Sequence, residues 1–297
     1  MIKARRLGHA TFETTDLERD IDYYQDTIGL ALAAREGKRA FLATESGQLA
    51  IVLEHGGNPG CRALSFEVAA DLDSAEMGRR LGSLDVAMET RRDAVIGVPE
   101  MVAFHDPKGT RIELFPRWEF INGNAPVNGA RPNKLGHVAF IVPDPKATSE
   151  FYARTLDFKI ADWIEDWFVF MRCGPDHHTV NFVRGPADRI HHIAFELRDS
   201  SHMLRACDVL GRNQINIAWG PVRHGPGHNV AVYHRNAADH LVEMFIDLDE
   251  MVDEELGYYE PRPWHRDKPQ RPKVWIGQPR DIWGQPPLPD FLRDTTR

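Results

Sequence analysis

The sequence predicts an α+β fold in which one module occurs twice in tandem, and three pairs of matching segments carry that prediction. "KLGHVAFIVPDPKATSEFYARTLDFKI" at 134–160 repeats the pattern of "RLGHATFETTDLERDIDYYQDTIGLAL" at 6–32. "HHIAFELRDS" at 191–200 repeats "RALSFEVAAD" at 62–71, and "NAADHLVEMFIDL" at 236–248 repeats "DPKGTRIELFPRW" at 106–118. The offsets are 128 for His9/His137, 129 for Phe66/Phe195 and 130 for Glu113/Glu243, so a whole module is duplicated.

Each copy opens on an alternating strand and continues into an amphipathic helix. In the second copy that helix covers 145–156, with Phe151, Tyr152 and Leu156 as its apolar anchors. The β-rich runs "WFVFMRC" and "HTVNFV" follow, then the strand "HHIAFEL" and a helix around 201–210 that Gly211 should close. Last come "NVAVYH" and "HLVEMFI", separated by the turn-rich "RNAAD". Each half is therefore two βαβββ units, expected to form one cup. The expected organisation is a first module at 1–118, a linker at 119–133, a second module at 134–249 and a tail at 250–297. The linker falls in the Gly-, Pro- and Asn-rich "PRWEFINGNAPVNGARP". The tail lies outside the repeat but carries Trp264, Trp275 and Trp283, and is expected to be pinned to the body.

Composition narrows the functional classes. A net charge of −8 and a pI near 6.0, with no basic stripe, argue against nucleic acid as a partner. Three cysteines without metal-site spacing (Cys61, Cys173, Cys207) fit a reducing compartment. No apolar run is long enough to cross a membrane, and the first residues lack the apolar core of a signal peptide, so a cytoplasmic protein is expected. Fourteen histidines, concentrated in the second half, call for a site.

Strand alternation locates it. In "LGHVAFIV", His137 and Ala139 lie opposite Val138, Phe140 and Val142; in "IHHIAFEL", His192 and Ala194 lie opposite Ile193, Phe195 and Leu197. In "HLVEMFI", Glu243 lies opposite Val242, Met244 and Ile246. Each strand thus has a bulky core face and a second face bearing His137, His192 or Glu243, with His191 expected on the far side from His192. Two imidazoles and a carboxylate converging from separate strands form a facial triad with open coordination positions, as in non-haem Fe(II) oxygenases. The first half keeps His9 and Glu113 but has Ala63 in place of His192, so it cannot complete the set. His9 and Glu113 are read there as relics or surface groups.

At these residues the sequence resembles the type I extradiol ring-cleaving dioxygenases of the vicinal oxygen chelate superfamily, on the repeat, "LGHVAF", "HHIAFEL" and "HLVEMF". The tail "RDIWGQPPLPDF" resembles the lid of homoprotocatechuate-type members. The resemblance implies Fe(II), or Mn(II), held by His137, His192 and Glu243 in the second cup alone. It implies that a catechol is opened beside its two hydroxyls with O2, giving a muconic semialdehyde-type product. It assigns an acid/base histidine to His178, a pocket tyrosine to Tyr233 and a pocket histidine to His224. Trp219 stands where homoprotocatechuate members have a carboxylate-binding arginine, which disfavours a carboxylated substrate; Arg280 matches a lid arginine. A homo-oligomer is also expected. His177, His228, His234 and His240 match no such position and are read as surface or supporting groups. The chemistry independently favours an imidazole as acid/base, because the site must take a catechol proton and later return one. Two other classes share the fold: a glyoxalase-type isomerase, and a non-catalytic module that binds an aromatic ligand. Neither would consume O2.

Overall fold

The computed structural model describes residues 1–121, 128–277, 281–288 and 291. The first half runs β1 (Arg6–Thr14), α1 (Leu17–Tyr23, continued by a π-helical turn), β2 (Ala31–Glu36), β3 (Arg39–Ala43), β4 (Leu49–His55), β5 (Gly60–Glu67), α2 (Ser74–Gly82), β6 (Glu89–Val95), β7 (Val98–His105) and β8 (Arg111–Phe115). The second half repeats that succession. It runs β9 (Lys134–Val142), α3 (Pro145–Leu156), β10 (Lys159–Ile164), β11 (Phe168–Arg172), β12 (Val180–Arg184), β13 (Arg189–Glu196), α4 (Ser200–Arg212), β14 (Ile217–His224), β15 (Val230–Arg235) and β16 (Leu241–Ile246). The tail adds β17 (Lys273–Trp275) and β18 (Asp281–Trp283).

Each half makes one curled sheet. The first has the order β2-β3-β4-β1-β5-β8-β7-β6, and the second has the equivalent order with β17 beside β10 and β18 beside β14. The duplication extends to irregularities. The register breaks at Ala33 against β3 and at Ala161 against β11, and again at Arg62 on β5 and His191 on β13. Gly8 and Gly136 precede the paired histidines for one packing reason: a Cβ at either would come within 2.5 Å of the ring of Phe115 or Phe245.

Local signals explain the helices. Asp144 accepts a hydrogen bond from the Ala147 amide, Pro145 occupies the first turn, and Asp157 ends α3 in the left-handed region at φ 57°. Tyr152 and Leu156 are fully buried and Phe151 is half-buried, so α3 packs through the face its spacing predicts. In α4 the expected stop at Gly211 is overturned. The helix runs to Arg212 and is capped by Asn213, because the Asn213 and Ile215 amides bond back to the last turn and carry the chain past the glycine.

The halves meet through one continuous core that includes Leu7, Phe66, Phe140, Phe158, Phe182 and Phe195. Polar contacts also cross: Tyr152 Oη donates to Asp106 Oδ2 at 2.8 Å, and Tyr23 Oη and His234 Nε2 share a hydrogen bond of 2.6 Å. His234 is therefore no surface group. Burial pushes its imidazole from 6.5 down to about 3. The unfolded chain takes up that proton first as pH falls, so stability is full above about 6.5 and is lost progressively between there and about pH 3. His234→Gln, which keeps a hydrogen-bonding group for Tyr23, is expected to lose roughly 2 kcal/mol less stability than the parent between pH 7 and 5. Urea denaturation at the two pH values measures this.

The tail is integral to the second half. β17 runs parallel to β10, and Tyr259 is fully buried against Ala161, Ile164, Phe170 and Met251. Tail residues thus form part of the core of the second cup. The tryptophans are only partly covered: Trp264 lies over the Arg223 guanidinium, whereas Trp283 remains 49% exposed.

Candidate metal centre and the cavity around it

β9, β13 and β16 lie side by side in the middle of the second sheet, so their inward side chains converge. His192 pairs across to Ala139, and Ala194 sits between His137 and Glu243 in adjacent strands. The small alanines leave room for the imidazoles to lean together. His137 Nε2 lies 3.1 Å from His192 Nε2 and 3.1 Å from Glu243 Oε2, and His192 Nε2 lies 3.2 Å from the same oxygen. All three residues are buried.

The donor set tests whether a cation fits. Edges of 3.1–3.2 Å match one face of an octahedron whose bonds are about 2.2 Å, the length usual for imidazole nitrogen and carboxylate oxygen on a first-row divalent ion. Supporting contacts at two of the three ligands leave their lone pairs pointing inward, while His137 Nδ1 is buried without a partner among the described residues. Asn229 Nδ2 donates to Glu243 Oε1 at 2.8 Å, and His192 Nδ1 is 2.7 Å from His191 Nδ1, an acceptor for its N–H. Burial alone would raise the Glu243 carboxyl, but His137 and His192 hold it well below the usual range. Burial lowers His192, so its nitrogen is available as a lone pair.

His191 corrects the alternation argument. The register skips it between Ile190/Phe140 and His192/Ala139, so it is the extra residue of a β-bulge. The bulge turns its ring toward His192 and into the cavity wall instead of onto the opposite face.

A second triplet shows what a hydrogen-bonded cluster looks like by contrast. His228 Nδ1 lies 2.7 Å from Asp249 Oδ2 and His265 Nε2 lies 3.0 Å from Asp249 Oδ1. Each imidazole has its own carboxylate oxygen, so N–H protons satisfy the group and bind the tail to the body. At the first triplet both imidazoles compete for one oxygen. His228, read from sequence as a surface or supporting group, is buried.

A cavity of about 450 Å³ opens over the first triplet, and every strand from β9 to β16 contributes to its wall. His178 lies with its ring centroid 4.2 Å from that of His137; burial, then His137 and His177, push it well below the ordinary imidazole range. Tyr233 Oη is 2.9 Å from His224 Nε2, and His224 Nδ1 is 2.8 Å from Asp281 Oδ1 in the tail. Burial, together with Glu243, raises the Tyr233 phenol well above its usual value, so it stays a neutral hydrogen-bonding group. Trp219 stacks on Tyr233 with centroids 5.2 Å apart and donates Nε1–H to the Gln285 carbonyl. The structure thus brings together His137, His192, Glu243, His178, Tyr233, His224 and Trp219; Arg280 lies outside the described residues. Asp281, Pro287 and Phe291 of the tail complete the wall, and of these only the tail's general role was legible beforehand.

The first half shows the same frame without a cation site. Ser65 Oγ bridges His9 Nε2 at 2.9 Å and Glu113 Oε2 at 2.6 Å, while Arg91 and Arg111 pair with Glu113 Oε1 at 2.6 and 2.8 Å. His9 and Glu113 are buried, so they are not surface groups. Two guanidiniums neutralise the carboxylate that a metal would otherwise hold.

The glyoxalase/bleomycin resistance protein/dioxygenase superfamily model matches residues 6–114 and again 134–244. The chain belongs to that superfamily. Within the superfamily, it is 26% identical over 265 residues to metapyrocatechase of Pseudomonas sp. strain CF600, covering 82% of this chain and 86% of the relative. Among solved structures it resembles homoprotocatechuate 2,3-dioxygenase from Brevibacterium fuscum in complex with 3,4-dihydroxyphenylacetate, with a TM-score of 0.81, 22% identity, and coverage of 99% of this chain and 93% of that one. It also resembles the Mn(II)-bound glyoxalase from Novosphingobium aromaticivorans, with a TM-score of 0.82, 20% identity, and coverage of 100% and 95%. The shared superfamily frame is the tandem α+β module pair seen here. No helix among the described residues is long and apolar enough to cross a membrane.

Proposed function

We propose that this chain is an extradiol dioxygenase that opens a catechol ring beside its two hydroxyls, incorporating both atoms of O2 into a semialdehyde product, in the breakdown of aromatic compounds. The observation that carries this reading is the convergence of His137, His192 and Glu243 on one point beneath a cavity that also holds His178. In this reading residues 1–118 are a structural module, 134–249 the catalytic one, and 250–297 a strap that completes the cavity.

His137, His192 and Glu243 would hold Fe(II) or Mn(II), which supplies open coordination positions where catechol and O2 meet and exchange electron density. The chain's own groups do the rest. His178 stands beside His137 on the cavity wall and burial keeps it neutral, so in this reading it takes a hydroxyl proton of the catechol and later returns it to the opening ring. Tyr233, backed by His224, offers a hydrogen bond to the second catechol oxygen and so fixes which oxygen is ionised. The aromatic wall of Trp167, Phe168, Phe170, Trp219 and Phe291 excludes water and favours a catechol with an apolar or aryl substituent over a carboxylated one.

The test is oxygen uptake by protein loaded anaerobically with Fe(II) or Mn(II), on catechol, alkylcatechols and biaryl catechols. The expected result is one O2 consumed per catechol, with a yellow ring-opened product. Absence of O2 uptake across the panel by metal-loaded protein would overturn the reading and leave the isomerase and binding-module alternatives.

A further inference from the structure

His178 does not stand alone. Its Nδ1 lies 3.0 Å from His177 Nδ1, and His177 Nε2 lies 3.1 Å from Asp162 Oδ2. Asp162 is fully buried on β10, and both its oxygens are engaged by the tail: the Lys273 amide donates to Oδ1 at 2.8 Å and Trp275 Nε1–H donates to Oδ2 at 2.8 Å. His177 is itself 1% exposed.

Donor and acceptor bookkeeping along this chain leaves little freedom. A carboxylate accepts, so His177 must present Nε2–H to Asp162. In a neutral imidazole the other nitrogen, His177 Nδ1, is then a bare acceptor. His178 must therefore place its proton on Nδ1 to donate to it, and its Nε2 is left as a lone pair. With Nδ1 committed backward, Nε2 is the nitrogen available to the cavity that His178 lines.

The duplicated half supplies an independent observation. By strand register, Asp162 corresponds to Ala34, and His177 and His178 correspond to Gln48 and Leu49. The half without a complete metal triad thus lacks the whole imidazole–carboxylate chain, although its sheet has the same order and the same bulges. The fold does not require these residues.

We propose that Asp162 and His177 are positioning residues that lock His178 in the Nδ1–H tautomer, so that its Nε2 is set to accept the substrate proton, with the tail strand β17 holding Asp162 in place. The proposal deepens the dioxygenase reading and rests on it for the role of His178. It gives the tail a second task besides walling the cavity: tail docking and proton transfer share one carboxylate.

Histidine-labelled protein carrying zinc(II) as a diamagnetic ion allows the tautomers to be read by 15N NMR without turnover. The expected spectrum has His178 protonated on Nδ1 and His177 on Nε2; the opposite tautomer at His178 overturns the proposal. In Fe(II)- or Mn(II)-loaded protein, His177→Phe is expected to lower kcat by at least about 10²-fold. Anaerobic catechol affinity should change less than about twofold. Adding His177→Phe to His178→Asn should lower kcat no further, because both act through one imidazole. Multiplicative losses would overturn the proposal in favour of a purely structural role. Should His177→Phe not fold, His177→Leu in the same cycle gives the same discrimination, since leucine likewise has no hydrogen-bonding group. Failure of the dioxygenase reading itself would appear differently, as wild-type protein that takes up no O2 whatever tautomer NMR records.

Discussion

Glu243→Ala and His192→Ala are each expected to purify without bound iron or manganese after loading and dialysis, and without measurable oxygen uptake. Each change removes one of three converging donors, and two remaining groups at 3.1–3.2 Å cannot define a coordination face. Loss of a supporting hydrogen bond alone typically costs about 10–100-fold in metal affinity, and loss of a ligand costs more. His9→Gln provides the internal control. Its half holds Glu113 with Arg91 and Arg111 instead of a cation, so metal per chain should equal that of the parent. Elemental analysis decides the matter: equal loss in the His9 variant would show that the two halves share the metal.

His178→Asn is the second large effect. The ring packs against His137 and lines the cavity, with its Nδ1 toward His177, and in the proposed reading it moves protons and does not coordinate. Metal content and anaerobic catechol binding should survive, while kcat falls roughly 10²–10⁴-fold, the usual worth of a general acid/base. Metal loss would make it a ligand. Turnover near that of the parent would make it part of the wall.

The duplication made much of this legible. Because β1 and β9, β5 and β13, and β8 and β16 are copies, the positions of His137, His192 and Glu243 could be compared with His9, Ala63 and Glu113, and alternation assigned their face. Alternation failed at His191 because a bulge inserts one residue, and nothing in "RIHHIAFE" marks which residue is extra. The partners of Asp162 were invisible for a different reason. Its carboxylate is satisfied from a loop before β12 and from a strand about 110 residues away, and β17, three residues long, has no period to detect. His265 and Asp249 escaped notice likewise, being brought together only when the tail docks. Arg91 and Arg111 could have been suspected, since a buried glutamate without metal requires a cation.

The placement of β17 and β18 has a consequence for how copies of this chain can meet. Long sheets ordinarily end in unpaired backbone that can recruit a strand from another molecule. Here the tail occupies both ends of the second sheet with three-residue strands, too short to template much pairing. The first sheet ends instead in β2 and β6. β6 reads "ETRRDAV" and β2 closes in "ARE", so charged side chains guard both rims. Any self-association of this protein is thereby directed to side-chain surfaces and away from open-ended backbone pairing.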